Sequence, residues 1–187
     1  MERVAKIISV VLILALSASV AVNAYQFTLA SSVRAPTEKV TTIFLVRHAD
    51  INRSINPSDP DPPLTLQGIQ RADDLAVILS KVEIDAIYST NTSRTIATAQ
   101  PLATSKNLQI RLYDDLDLLV DEVKQNDTGE EILVVGHSNT LPSIIDKFVG
   151  AGTGYSIGPD EYYKIFIVTI TKSGKGWTTQ LKYGVVP

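Results

Sequence analysis

"TTIFLVRHAD", residues 41–50, runs a β-prone, largely apolar segment straight into Arg47 and His48. A short apolar run of this kind is the pattern of a buried strand, and it sets a cation and a titratable ring at the strand's carboxyl end. The chain has two histidines. The second repeats the arrangement: "EILVVGHSNT", residues 131–140, is another apolar strand pattern that ends at His137 and leads through Ser138 and Asn139 towards a helix. Strand patterns at 42–47, 84–89, 108–113, 131–136, 162–171 and 177–183 alternate with helical patterns at 65–82, 92–106, 115–126 and 139–150. Four strand–helix alternations and a closing hairpin over "KSGKG" predict a three-layer α/β/α sandwich around a mostly parallel sheet with an antiparallel edge. Ligands of such sheets bind outside the carboxyl ends of the strands, where both histidines fall. In the first helix, Leu66, Ile69, Leu75, Ile78 and Leu79 are expected to form the buried face, with Thr65 as N-cap.

Composition narrows the partners. The 187 residues carry a net charge of -3 and no basic run, which excludes a non-specific nucleic-acid binder, because such proteins neutralise phosphates with clustered Lys and Arg. At the N-terminus, Arg3 and Lys6 precede a largely apolar run of sixteen residues, Ile7 to Val22, that ends in small residues before Ala24. This is the pattern of a signal peptide over 1–24, with an uncleaved N-terminal anchor as the alternative. The apolar run is short against the roughly 20 residues of a membrane-spanning helix, and contact with a membrane is expected only through this segment. Residues 25–40 are polar and aperiodic and read as a linker, so the folded domain is expected over 41–187. With no cysteine, the fold stands on its core even in an oxidising compartment.

A third element joins the two histidines. In "AIYSTNTSRTIATAQPLA", residues 86–103, a strand pattern ends in a Ser/Thr/Asn turn that leads to Arg94 on the first turn of a helix. A cation there opposes the helix macrodipole, and it makes sense if an anion lies between the two. Two arginines, two histidines and helix N-terminal amides on one sheet edge describe a phosphate pocket: the guanidinium fork matches phosphate bidentately and the amides add donors. The histidines have no HExxH or HxH spacing and their charged neighbours are cationic, so no metal and no cofactor is expected.

Four ordered motifs, "LVRHAD" (45–50), "DPPLTLQGIQRADDLA" (61–76), "IDAIYSTNTSRTIATAQPLA" (84–103) and "ILVVGHSNTLPSII" (132–145), resemble the histidine phosphatase superfamily, also called the phosphoglycerate-mutase-like fold. The resemblance implies that His48 is a nucleophile that becomes phosphohistidine, with Arg47, Arg94 and His137 holding the transferred phosphoryl group. The chemistry agrees, since an imidazole nitrogen can attack phosphorus while arginines neutralise the equatorial oxygens, with no metal required.

Departures from the family pattern are informative. Ala49 and Asp50 stand where many members have Gly and Glu, and Ser54 stands where an asparagine often helps bind phosphate, with Asn52 and Arg53 beside it as substitutes; Asn139 is a further candidate substrate contact. Only 137 − 94 = 43 residues separate Arg94 from His137, too few for the insertion that carries the general-acid glutamate of mutase-like members, so the site should lack a large cap. The acid is left among Asp115, Asp117 and Asp50, and Asp115 or Asp114 serves equally well as a helix cap. The loops 51–63 and 151–163 are expected to rim the pocket. The expected function is that of an exported, metal-independent phosphatase on a small phosphorylated substrate such as a sugar phosphate of the cell envelope. A phosphohistidine phosphatase acting on protein, and a weakly active phosphate- or phosphoglycan-binding protein, are the alternatives.

Overall fold

The computed structural model describes residues 39–54 and 56–185. The expected leader (1–24) and most of the linker lie outside the described residues. The elements are β1 Val40–Arg47, α1 Leu66–Ile78, β2 Ile84–Thr90, α2 Ser93–Lys106, β3 Ile110–Tyr113, α3 Leu116–Asn126, β4 Glu131–Gly136, α4 Leu141–Val149, β5 Lys164–Thr171 and β6 Gly176–Lys182. They form one six-stranded sheet in the order β3-β2-β4-β1-β5-β6. The first four of these strands are mutually parallel, and β5 and β6 join antiparallel beyond β1.

Both faces of the central strands are covered, which is why β1 and β4 read as continuous apolar runs. Ile43 and Leu45 point to the side of Leu119, Val120 and Val123 of α3 and of Ile144, Ile145 and Phe148 of α4. Phe44 and Val46 point the other way, to Leu75 of α1 and to Ala99, Leu102 and Ala103 of α2. The three layers expected from the strand–helix alternation are therefore present.

Differences from the expected elements are local. α1 stops at Ile78 rather than 82, β3 begins at Ile110 rather than 108, and α4 begins at Leu141 rather than 139. The larger correction concerns the face of α1. Thr65 does cap it, accepting from the Gly68 amide at 2.9 Å, but the helix buries Gly68, Arg71, Ala72 and Leu75. Leu66, Ile69 and Ile78, expected inside, are 87%, 50% and 46% exposed. The rotation has a steric and an electrostatic cause. A Cβ on Gly68 would lie 2.2 Å from the Asp50 carbonyl oxygen, so only glycine permits the helix to approach this closely. Arg71 Nε then meets the Asp50 carboxylate at 2.6 Å with the guanidinium almost wholly buried. A buried ion pair that must face inward outweighs a few apolar side chains that tolerate water.

Candidate active site

Strand register builds the site. In the β1–β4 pair Arg47 lies opposite Gly136, and the His48 amide extends the ladder by donating to the Gly136 carbonyl at 2.9 Å. The residues after the two strands, His48 and His137, therefore stand at the same level, with ring centroids 5.5 Å apart and edge-on. On the far side of β4, Ser89 pairs with Val135, so Thr90 reaches the same rim. Its hydroxyl lies 2.9 Å from His137 Nε2 and donates onward to Thr95 Oγ1 at 3.0 Å.

His48 is set up as a nucleophile by its surroundings. Its Nδ1 lies 2.9 Å from the Ala49 carbonyl oxygen. A carbonyl only accepts, so Nδ1 carries the proton and the lone pair is left on Nε2. The Ala49 amide is held in turn by Thr98 Oγ1 at 2.9 Å, and Thr98 donates to the Arg94 carbonyl in α2. Burial, opposed in part by the Ala49 hydrogen bond and reinforced by the charges of Arg47 and Arg94, depresses the His48 pKa to about 4. Burial likewise lowers that of His137, with Arg94 and Arg47 adding to it. Both rings are neutral at neutral pH.

The arginines are anchored by the two loops expected to rim the pocket. Arg47 donates through NH1 to the Gly158 and Pro159 carbonyls at 3.0 and 2.7 Å, its guanidinium carbon sits 4.1 Å from the Tyr162 ring centre, and its Nε is buried without a partner. Arg94 donates through NH1 to the Pro60 carbonyl at 3.0 Å and to Asp61 Oδ1 at 2.8 Å. Arg47, His48, Arg94 and His137 are thus brought together. A buried guanidinium donor with no partner, beside a neutral imidazole, suits an oxyanion.

The other candidates are engaged elsewhere. Asp50 pairs with Arg71. Asp115 caps α3, accepting from the amides of Asp117 and Leu118 at 2.7 and 3.0 Å, and exposed Asp117 pairs with Lys147. In the loop after β1, Asn52 accepts from the Ser54 amide and Arg53 reaches Pro57, so their hydrogen bonds stay within that loop. Asn139 is exposed in the turn before α4. Sequence reasoning missed Asp61 and Tyr162. The anion inferred between Arg94 and its helix N-terminus was the available signal for Asp61, whose carboxylate also accepts from Ser93 N and Ser93 Oγ at 2.7 and 2.6 Å.

The family model described as histidine phosphatase superfamily (branch 1) matches residues 43–117, from β1 into α3. Over that segment the chain is similar to the histidine phosphatase superfamily, and its fold is that of phosphoglycerate-mutase-like structures. Solved structures with the same fold include the protein histidine phosphatase SixA complexed with tungstate (22% identity, TM-score 0.62, covering 75% of this chain and 96% of that one). A mycobacterial glucosyl-3-phosphoglycerate phosphatase (11%, 0.64, 78% and 100%) and a phosphoglycerate mutase from Bacillus anthracis (14%, 0.59, 77% and 93%) share it as well. Among curated proteins, none matches this sequence. The matched segment includes Arg47, His48, Asp61 and Arg94, while His137 lies beyond it at β4's carboxyl end.

Proposed function

We propose that the chain is an exported, metal-independent phosphatase that hydrolyses a small phosphomonoester through a phosphohistidine on His48. The observation that carries this reading is the His48 ring itself: Nδ1 is committed to the Ala49 carbonyl, burial keeps the ring neutral, and Nε2 is left with its lone pair on a ring near enough to Arg47 and Arg94 to feel their charges. In the first step Nε2 attacks phosphorus in line, the P–O bond to the leaving group breaks, and the electron pair departs on oxygen. Arg47 and Arg94 neutralise the equatorial oxygens, and His137 flanks the transferred group. Water then attacks the phosphohistidine, the P–N bond breaks, its electrons return to Nε2, and inorganic phosphate leaves.

The carboxylates of Asp50, Asp115 and Asp117 are each occupied by a cation or by helix amides. Leaving groups that need no proton should therefore be preferred, and aryl phosphates should turn over faster than alkyl phosphates. An envelope sugar phosphate is favoured over a cytoplasmic substrate by the basic and apolar N-terminal segment, residues 3–22. The test is phosphate release from an aryl phosphate by the full chain and by His48→Ala. The wild type is expected to exceed the variant by roughly 10³-fold or more, the scale of losing a covalent nucleophile. Equal, slow release by both would favour a phosphate-binding protein instead.

A further inference from the structure

Arg47 and Arg94 are held in the same way by different loops. Each gives its NH1 hydrogens to a pair of loop oxygens: the Gly158 and Pro159 carbonyls for Arg47, and the Pro60 carbonyl and Asp61 Oδ1 for Arg94. A guanidinium has five N–H donors in a planar fork. Fixing both hydrogens of NH1 leaves the Nε and NH2 edge, which is the edge that grips phosphate bidentately; on Arg47 one NH2 hydrogen also reaches the Tyr162 hydroxyl at 3.5 Å. Of the four oxygens on NH1 only one belongs to a side chain, and that side chain is Asp61. Its second oxygen, Oδ2, accepts from the backbone amide and the hydroxyl of Ser93, so the carboxylate ties the guanidinium of Arg94 to the first turn of the helix that carries it. Burial pushes its pKa up, but the hydrogen bonds from the Ser93 hydroxyl and amide and the Arg94 amide, with the Arg94 charge, hold it below the usual range, and the contact is therefore between full charges at neutral pH.

We propose that Asp61 is a positioning residue for phosphoryl transfer: it fixes Arg94 by NH1 so that the Nε and NH2 edge is presented to the phosphoryl group, and thereby couples the loop 51–63 to the phosphate grip. This rests on the phosphatase reading of the same site. A helix cap alone would need only Oδ2 and the Ser93 amide; the ion pair from Oδ1 to a pocket arginine is what assigns the further role. Misplacement of a catalytic group by about 1 Å can cost on the order of 10²-fold in rate.

The experiment is a double-mutant cycle on the full chain with Asp61→Ala, Arg94→Ala and the double variant, read as kcat/KM for an aryl phosphate and as tungstate affinity by calorimetry. Asp61→Ala is expected to lower kcat/KM by roughly 10- to 100-fold and to weaken tungstate in parallel. In the Arg94→Ala background the same substitution should change either quantity by less than about twofold, because sites that act as a unit are not additive. Asp61→Ser, which can cap α2 without reaching Arg94, should behave as Asp61→Ala does, and it replaces that variant if Asp61→Ala fails to fold. Equal losses in both backgrounds, or a lowered Tm with kcat/KM and tungstate affinity unchanged, would overturn the proposal. If the wild type turned over no phosphate ester, the phosphatase reading would fall while the tungstate cycle still decided the coupling. A wild type that bound no tungstate would overturn both.

Discussion

At the scale of the residue, the two nitrogens of His48 have different tasks. Nδ1 is tied to a backbone carbonyl, and Nε2 keeps the lone pair on a ring that feels the charges of Arg47 and Arg94. The depressed pKa has a definite sign in stability. The unfolded ring takes up a proton near pH 6.5 and the folded ring only near 4, so the folded state loses stability as pH falls through that window and neither gains nor loses from this ring above it. With two histidines in the chain, the ring-proton NMR spectrum should show one resonance titrating near 4 and the other below 6.5. A His48 that titrated at or above 6.5 would contradict the buried neutral ring. The convergence of Arg47, His48, Arg94 and His137 was legible in the sequence because each falls where a strand pattern gives way to a turn or helix start. Asp61 was signalled only as an anion of unstated identity beside Arg94, because "DPDPP" reads as an ordinary turn and Arg94 lies 33 residues on (94 − 61). Asp50, Asp115 and Asp117 were legible as carboxylates near strand ends, and Asp115 also as a helix cap, a local contact; that Asp50 and Asp117 are held by Arg71 and Lys147 depends on tertiary contacts no spacing reveals.

At the scale of the element, β1 and α1 show where local pattern succeeds and fails. β1 is apolar on both faces, so its burial does not depend on which way it is turned. α1 offers several apolar residues on more than one side, and the close approach of Gly68 to Asp50 and the Arg71–Asp50 pair decide its rotation. Two substitutions test this. Gly68→Ala forces a methyl into a backbone carbonyl and should destabilise by about 2–3 kcal/mol. Arg71→Leu leaves Asp50 in a mostly buried setting without its cation and should cost about 3–5 kcal/mol. Denaturant unfolding measures both. Leu66→Gln, on the 87% exposed position, should stay within about 0.5 kcal/mol of wild type, whereas a core-facing Leu66 would give a loss of several times that.

At the scale of the whole molecule, the strand order brings the ends of β1, β4 and β2 together. Their carboxyl ends form one rim that holds His48, His137 and Thr90, and the turn after β2 delivers Arg94 to it. The alternation of patterns was enough to expect the layers and the antiparallel hairpin. It could not give the two loops' hold on the arginines, since the Gly158, Pro159 and Pro60 contacts are made by backbone carbonyls that any residue supplies. The proposed export belongs to this scale too. Expressed from its full sequence in a bacterium, the protein should be recovered outside the cytoplasm with Tyr25 as its first residue by mass spectrometry; an intact Met1 in the cytoplasmic fraction would contradict the signal peptide. The central claim, covalent phosphoryl transfer to His48, is tested most directly by trapping. Mixing the protein with an aryl phosphate, quenching within milliseconds in alkaline denaturant, where phosphohistidine survives, and sequencing the peptides by mass spectrometry should find one phosphoryl group on the peptide bearing His48. It should be absent from His48→Ala, and turnover by a wild type that never carries phosphate on His48 would contradict the mechanism.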